Sequence, residues 1–345
     1  MKLLNIIIGA IALVSSTIAA PSTFSKDRCG PDYDHCDNNE CCDKYNWCGT
    51  SDDHCLVSRG CQSEFGACRG NTIFQNTSNI KWAGFRYSPY IPSVNILKIP
   101  TPYEWIQYIN RFKSRFDKNT QGAALLIVGH ERDKKYCEFL FPKPSSIDSY
   151  SSNIKFSKNN KYEDFLDACD RENINVWLQV EPGSNDLVEL AKITLAQYKH
   201  HSSVKGFGID LEWWYRDNRS YGKKISDSDA RRVVEVVRSI NSNYTVSIKH
   251  WKIEYMPPTY RAHLIFVNGS QDFHGDAIKM TKEFAKWAGK FSGNPVMYQI
   301  GYKVDKDIWG TDPITTAKDV ANAASEKNNQ VGIFWVDYTY NEICH

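Results

Sequence analysis

From Lys81 onward, short apolar runs alternate with segments in which apolar residues recur at helical spacing. The apolar runs cover residues 82–88, 123–129, 174–183, 204–213, 244–251, 262–269, 294–302 and 331–339. The helical patterns between them cover residues 102–112, 163–173, 186–198, 229–240, 277–291 and 315–326. Eight strands with helical crossovers in roughly 265 residues predict the α/β fold class, as a closed (β/α)8, TIM-type barrel over residues 81–345. The polar region 130–160 and the short connection 252–261 fit this pattern least well.

The first twenty residues follow a different pattern, with a positive charge at Lys2, an apolar run over 3–14 and small residues before Pro21. This arrangement is typical of a secretory signal peptide over residues 1–20, and the apolar run is too short to span a bilayer comfortably. We therefore expect a secreted, extracellular protein. Glycosylation triplets for a eukaryotic secretory route begin at Asn76, Asn218, Asn243 and Asn268.

The overall charge is nearly balanced, with 42 basic and 40 acidic side chains in 345 residues. No strong field therefore favours nucleic acid or an anionic membrane surface as a partner. Aromatic residues make up 13 % of the chain, and their faces serve either to stack on sugar rings or to pack a core. We expect a monomer without a cofactor.

Eight of the eleven cysteines lie between Cys29 and Cys68. About 40 residues bury too little apolar surface to fold without cross-links, so in an exported chain this density favours disulfides. A zinc site is the alternative, but the adjacent pair Cys41-Cys42 does not match the paired Cys-x-x-Cys spacing of zinc fingers. Spacing alone leaves on the order of a hundred disulfide pairings open. The states of Cys137, Cys169 and Cys344 also stay open.

Four short motifs occur in this cysteine-rich block: CG at Cys29, CC at Cys41, WCGT at 47–50 and GCQSEFGAC at 60–68. Together they resemble the hevein-like, type 1 chitin-binding module, which we assign to residues 26–69, followed by a linker over 70–80. The resemblance implies chitin or N-acetylglucosamine oligomers as partners. It also implies the disulfide pairs Cys29–Cys42, Cys36–Cys48, Cys41–Cys55 and Cys61–Cys68.

The same resemblance implies four binding positions. Tyr45 and Trp47 would stack on successive sugar rings, and His54 would occupy a third aromatic position. Asp43 replaces a serine that donates to the acetamide oxygen in the family, and an ionised carboxylate only accepts hydrogen bonds. The alternative is that Tyr45 and Trp47 merely pack the small domain.

In barrels of this kind the chemistry lies at the C-terminal ends of the strands. Polar and aromatic side chains expected there are Arg86, Gln179, Glu181, Asp210, Glu212, Lys249, Trp251, Asn268, Gln271, Gln299, Tyr302, Trp335 and Asp337. From these we select Glu181, Gln299, Tyr302, Trp335 and Asp337 as a sugar cleft around two candidate catalytic residues, Asp210 and Glu212. On an extended strand, these two would point to the same side, roughly 7 Å apart.

The segment GFGIDLEWW at 206–214 and the final strand GIFWVD at 332–337 resemble strands four and eight of glycoside hydrolase family 18 chitinases. The signature of that family is Asp-Gly-x-Asp-x-Asp-x-Glu, whose last two carboxylates correspond to Asp210 and Glu212. The resemblance implies that the acetamide oxygen of the substrate attacks the anomeric carbon while Glu212 protonates the leaving oxygen. Asp210 would hold the acetamide, and Trp335 would form the floor of the sugar site.

Two signature positions differ from that family, since Lys205 and Gly208 replace carboxylates. A barrel that binds sugar without hydrolysing it is therefore the alternative function. A different hydrolase mechanism would pair Glu181 with Glu212 as nucleophile and acid/base, although strand seven carries Gln299 where many retaining enzymes place a nucleophile. The histidines show no tight ligand spacing, so we expect no metal site. They are His200, His201, His250, His263 and His274.

Overall fold

The structure is a computed structural model that describes residues 27–37, 40–56, 59–68, 80–90, 99–215 and 221–343. The proposed signal peptide, the linker up to residue 79, the triplets at Asn76 and Asn218, and Cys344 lie outside these residues. The chain divides into two compact units, Met1–Arg69 and Gly70–His345. In the described part of the chain, none of the helices combines the length and apolar character needed to cross a bilayer.

The N-terminal unit is cross-linked by four disulfide bonds. Strands β1 (Cys41–Cys42) and β2 (Cys48–Gly49) pair antiparallel and are followed by a single helical turn, α1 (Asp52–Cys55). The four disulfides are Cys29–Cys42, Cys36–Cys48, Cys41–Cys55 and Cys61–Cys68, as the resemblance implied. All eight cysteines are bonded, which removes the zinc alternative. Buried cysteines supply the interior that so short a segment cannot build from apolar side chains.

The second unit is a closed barrel of eight parallel strands. The ten strands of its sheet are β3 (Ile80–Tyr87), β4 (Gln121–Arg132), β5 (Tyr136–Phe139), β6 (Ile154–Phe156), β7 (Asn175–Val180), β8 (Val204–Asp210), β9 (Thr245–Lys249), β10 (Leu264–Asn268), β11 (Val296–Ile300) and β12 (Val331–Val336). The barrel order is β3, β4, β7, β8, β9, β10, β11 and β12, and pairing of β12 with β3 closes it. The predicted TIM-type barrel is confirmed.

Helices connect most of the barrel strands, and all of them except α3 and α7 begin at a residue whose side chain caps the first turn. They are α2 (Pro102–Lys113), α3 (Glu163–Glu172), α4 (Leu187–Tyr198), α5 (Asp227–Ile240), α6 (Ala277–Lys290), α7 (Lys306–Trp309) and α8 (Pro313–Ser325). Thr101 and Glu104 form a capping box on α2, and the Asp186 carboxylate accepts from two amides at the start of α4. Such caps satisfy amides that a helix start leaves unpaired.

The two poorly fitting segments have distinct structures. The region 130–160 contains β5 and β6, which extend the sheet beside the barrel, with β4 and β5 pairing antiparallel. The connection 252–261 carries only the 3-10 turn Ile253–Tyr255, so β9 and β10 are joined without an α-helix. The predicted alternation therefore lacks one crossover helix.

The barrel has separate outer and inner cores. Most apolar side chains pack between strands and helices, whereas a smaller cluster fills the barrel interior. The interior cluster comprises Trp82, Ala123, Leu125, Trp177, Ile265, Val267, Met297 and Phe334. Because side chains alternate along a strand, continuing from Trp177 directs Gln179 and Glu181 toward the barrel axis. Polar side chains therefore meet above this apolar floor, at the C-terminal ends of the strands.

Candidate functional site

Tyr45 and Trp47 form an exposed aromatic pair on the N-terminal unit. Their side chains lie on a turn and are 67 % and 46 % exposed, respectively. Asp43 Oδ1 fixes the turn by accepting from the backbone amides of Tyr45 at 2.8 Å and Trp47 at 2.9 Å. Asn46 between them adopts φ 67°, a left-handed conformation that asparagine tolerates better than most residues. The two rings are therefore not packing residues, and the Asp43 carboxylate serves to shape the loop.

His54 is held beside this turn. Its Nδ1 lies 2.7 Å from Ser51 Oγ, and its Nε2 lies 3.9 Å from Asp43 Oδ2. A Cβ atom at Gly49 would lie 2.6 Å from the imidazole ring, so the ring requires glycine there. The imidazole is thus fixed in position while remaining partly exposed.

Arg28 is a contact that sequence reasoning missed. Its guanidinium carbon lies 4.3 Å from the ring centroid of Trp47 and 4.8 Å from that of Tyr33, and its backbone pairs with that of Trp47. A cation in this position covers one face of the indole and leaves the other for a ligand. No local motif indicates the contact, because residues 28 and 47 are brought together by the disulfide-linked fold.

In the barrel, Asp210 is the last residue of β8. Its Oδ1 accepts from the backbone amide of Glu212 at 3.2 Å, which caps the 3-10 turn Leu211–Trp213. The predicted strand over 204–213 is therefore too long, because the short Asp210 side chain offers the backbone a turn instead of a further extended residue. Glu212 consequently lies on a turn and not two residues further along a strand.

Lys249, the last residue of β9, joins the two candidate catalytic carboxylates. Its Nζ donates to Asp210 Oδ2 at 3.0 Å and also to Glu212 Oε1. Burial acts to lower the pKa of Lys249, but the charges of Asp210 and Glu212 outweigh burial and raise it. A Cβ atom at Gly269 would lie 2.7 Å from Lys249 Cε, so glycine there leaves room for the lysine.

Glu212 is largely buried, in addition to forming this ion pair. Burial raises its pKa to about 7, and the charge of Asp210 acts in the same direction, whereas Lys249 opposes the shift. Its side chain is 17 % exposed. A carboxyl group with such a pKa exchanges a proton near neutral pH.

Glu181 provides a second carboxyl group with a raised pKa, just beyond the end of β7. Its Oε2 accepts from the hydroxyl of Tyr90 and from the amide of Glu131 at 3.0 Å. Burial and the charge of Asp210 raise its pKa to about 7. Gln179 Nε2, on β7, donates to Asp210 Oδ2 at 3.3 Å. The β7 segment therefore both carries Glu181 and provides a hydrogen bond to Asp210. Tyr90 was missed because it follows β3 in a segment without apolar periodicity.

Gln299 and Tyr302 lie together on the opposite part of the barrel mouth. The Tyr302 hydroxyl donates to Gln299 Oε1 at 3.1 Å, and burial raises the pKa of Tyr302. Gln299 Nε2 is buried without a hydrogen-bond partner among the described residues. A buried amide donor without a partner is costly, and Gln299 is fully buried, so a sugar oxygen would reach this donor only after neighbouring side chains move.

Asp337 and Trp335 have structural roles instead. Asp337 is fully buried and accepts from Arg86 Nη2 at 3.1 Å and from the amide and hydroxyl of Ser88. Trp335 lies in the outer core against Phe112 and Trp309. The prediction of Trp335 as a sugar-site floor is wrong, because Phe334 is the residue that points into the barrel.

The two departures from the family 18 signature have physical explanations. A Cβ atom at Gly208 would lie 2.8 Å from Ser247 Oγ and 3.1 Å from Gln179 Cβ, so no carboxylate fits there. Gln179 donates to Asp210 from this side. Lys205 donates to the carbonyl of Ser202 at 2.8 Å, before β8 reaches the barrel mouth.

Other expectations also changed in the structure. Asn268 is fully buried and its Oδ1 accepts from the Ser270 amide, so its glycosylation triplet is inaccessible in the folded barrel. Asn243 remains exposed. Cys137 and Cys169 are buried free thiols, and burial raises the pKa of both.

Comparison with solved structures gives matches at low sequence identity. A beta-glucuronidase from an uncultured Clostridium sp. has a TM-score of 0.43 at 11 % identity, covering 75 % of this chain and 44 % of its own. A beta-glucuronidase from Bacteroides uniformis has a TM-score of 0.44 at 10 % identity, covering 74 % of this chain and 30 % of its own. This chain thus spans less than half of either protein.

The N-terminal unit gives a more specific match. Residues 28–68 match the family described as chitin recognition protein. Pseudo-hevein from Hevea brasiliensis is 54 % identical over 35 residues, which cover 10 % of this chain and 71 % of pseudo-hevein. The family match ends at Cys68, so the resemblance of the barrel to glycoside hydrolase family 18 stays a prediction. Through its N-terminal unit, the chain belongs to the hevein-like chitin-binding proteins, and this unit precedes an eight-stranded parallel barrel in the sequence.

Proposed function

We propose that this is a secreted chitin-binding protein whose barrel hydrolyses glycans containing N-acetylglucosamine. The observation that carries the enzymatic part is the partly exposed Glu212 at the barrel mouth, with its pKa raised to about 7 beside the Asp210–Lys249 ion pair. The exposed rings of Tyr45 and Trp47 supply the chitin-binding surface. Flat aromatic faces bind the apolar faces of sugar rings without a large entropic cost.

In the proposed reaction, protonated Glu212 donates its proton to the glycosidic oxygen as the bond to the anomeric carbon breaks. The acetamide oxygen of the same sugar forms a bond to that carbon, giving a positively charged oxazolinium intermediate. Water then attacks the anomeric carbon while the bond from that carbon to the acetamide oxygen breaks, and the water proton passes to ionised Glu212, which restores the starting state.

Asp210 would act in this reaction through its charge. Its Oδ1 accepts from the Glu212 amide, and its Oδ2 accepts from Gln179 and Lys249. These three hydrogen bonds hold the carboxylate in a fixed position. A fixed negative charge at the mouth favours the positive intermediate over the neutral substrate. Because these bonds occupy Asp210, its earlier role of holding the acetamide directly is less well supported than this electrostatic one.

Glu181 offers a nucleophile for a mechanism without acetamide participation. It is only 2 % exposed, and its Oε2 already accepts two hydrogen bonds, whereas Glu212 is more accessible. The acetamide-assisted mechanism is therefore the better supported one. Inhibition by an oxazoline mimic would favour it, and a covalent glycosyl ester on Glu181 would contradict it.

The test is to compare the parent protein with Glu212→Gln on N-acetylglucosamine oligomers and on chitin. We expect Glu212→Gln to abolish reducing-end release while chitin pull-down stays unchanged. Glu235→Gln, an exposed change on α5, is the matched control and should keep both properties. Equal release by Glu212→Gln and the parent would contradict the role of Glu212.

The second candidate function is a lectin-like protein with a non-catalytic barrel. It is favoured by the ion pair between Lys249 and Glu212, because the lysine stabilises the ionised carboxylate that cannot donate a proton. Absence of release by the parent on acetylated oligomers and on non-acetylated glucans, with chitin pull-down intact, would support this candidate over hydrolysis.

A further inference from the structure

His201 is a buried histidine with one ring nitrogen engaged and the other without a hydrogen-bond partner among the residues that the structure describes. The ring follows α4 and lies beside three carboxylates of α3, those of Glu163, Asp167 and Asp170. Its Nδ1 lies 2.8 Å from Asp170 Oδ2, which fixes the proton on this nitrogen and leaves the lone pair on Nε2. Nε2 is buried, forms no hydrogen bond within the described part of the chain and lies 3.4 Å from Glu163 Oε1.

Two further ligand atoms lie beside His201 Nε2. Glu163 is the first residue of α3, and its Oε1 lies 2.9 Å from His200 Nε2. Its other oxygen, Oε2, accepts from Asn160 Nδ2 at 2.6 Å, which orients the carboxylate. Glu163, His200 and His201 offer donor atoms that all lie within 4.8 Å of one another.

We propose that Glu163, His200 and His201 form a binding site for a divalent transition-metal ion, with zinc as the best-fitting metal. Two imidazoles and one carboxylate are a ligand set that zinc prefers. Ligand atoms at about 2.0–2.2 Å from a tetrahedral zinc lie about 3.3–3.6 Å from each other. The distance of 3.4 Å from Glu163 Oε1 to His201 Nε2 lies within this range, whereas the 2.9 Å hydrogen-bond distance to His200 Nε2 would lengthen when an ion binds.

The groups around the site support the same assignment. A carboxylate that accepts the second N–H of a ligating histidine fixes its orientation, and Asp170 occupies this position for His201. Asp170 is itself held by the amide of Ser203 at 2.7 Å. His200 is 56 % exposed and Glu163 is 38 % exposed, so water can complete the coordination. His201, in contrast, is buried, so its side of the site is closed to solvent.

The proposed role is structural. Glu163 begins α3, whereas His200 and His201 lie in the connection between α4 and β8, so one ion would join two separate segments. Within the barrel unit, this site precedes β8, whereas Asp210 and Glu212 lie at the C-terminal end of that strand. The sequence expectation of no metal site relied on ligand spacing along the chain. That spacing cannot indicate a site in which Glu163 and the histidine pair are 37 residues apart.

The test is zinc binding to the full-length protein after chelator treatment, measured by calorimetry and by metal analysis after dialysis. We expect one zinc ion per chain at this site and a zinc-dependent rise in melting temperature. His200→Gln should weaken binding by at least about tenfold and remove the melting shift, and Asp170→Asn should weaken binding about 10- to 100-fold. His200 is exposed, so its variant is expected to fold.

His274→Gln is the matched control, since His274 also lies 3.0 Å from a carboxylate, Asp272, on the exposed surface. It should bind zinc as the parent does. No zinc binding by the parent up to millimolar metal would overturn the proposal. Zinc binding that persists unchanged in both His200→Gln and Glu163→Gln would overturn it equally.

Discussion

Glu181 should make the stability of the barrel depend on pH, and Glu181→Gln should remove that contribution. The ordinary carboxyl pKa is 4.5, and burial together with Asp210 raises the folded-state pKa of Glu181 to about 7. Between these values the native protein keeps a proton that the unfolded chain has released. Stability from this group is therefore complete below pH 4.5 and is lost as the pH rises through 7.

The magnitude follows from this difference. At about 1.4 kcal/mol per pH unit, a change from 4.5 to about 7 corresponds to about 3 kcal/mol of unfolding free energy. Glu181 is only 2 % exposed, so little of this value is lost to solvent screening. The raised pKa of Glu212 also makes stability fall as the pH rises. This contribution is present in both the parent and Glu181→Gln, so the difference between their curves isolates the contribution of Glu181.

Urea unfolding followed by tryptophan fluorescence, from about pH 4 to about pH 8, measures the effect. The loss of stability across this range should be about 3 kcal/mol smaller in Glu181→Gln than in the parent. Glu235→Gln, an exposed change, should follow the parent curve. Parallel curves for the parent and Glu181→Gln would refute the argument, whatever the constant offset between them.

Three other changes test separate parts of the structure. Trp47→Ala should weaken chitotriose binding by about 1 kcal/mol or more in a titration, whereas Tyr103→Ala, an exposed aromatic change on α2, should not. Gly208→Asp should lower stability by about 1–3 kcal/mol in urea unfolding because its Cβ would clash with Ser247 Oγ, and an unchanged midpoint would contradict this. Lys249→Met should cost about 3–5 kcal/mol by leaving two buried carboxylates unpaired. It should also raise the pKa of Glu212, so any hydrolytic activity should persist to higher pH, and an unchanged pH profile would contradict the assigned contact.

The sequence predicted the barrel well because its strands and helices have different apolar periods. All eight barrel strands lie within or overlap the predicted runs, and the disulfide pairing followed from a family resemblance. The errors lie where a local contact ends a regular element. The Asp210 carboxylate accepts a hydrogen bond from the Glu212 amide, and β8 ends there. The periodic pattern of apolar residues does not show where this hydrogen bond ends the strand.

The side-chain direction of Trp335 was harder to predict. A tryptophan in an apolar strand fits either core, and in a parallel barrel both faces of each strand are covered, so the polar alternation that marks one face disappears. Phe334 points inward and Trp335 outward in the structure. The contacts of Tyr90 with Glu181 and of Arg28 with Trp47 join residues far apart in sequence, which single-sequence patterns do not record.

Lys249 is the residue on which the choice between hydrolase and lectin depends most directly. Its charge stabilises ionised Glu212, whereas burial and Asp210 favour the protonated acid, and the balance places the pKa of Glu212 at about 7. A bound sugar that excludes water from the mouth would strengthen the burial effect and favour protonation, but it would also strengthen the ion pair. Hydrolysis requires the first effect to prevail in the complex, so activity that falls as the pH rises through 7 is expected of a hydrolase that uses Glu212 as its acid.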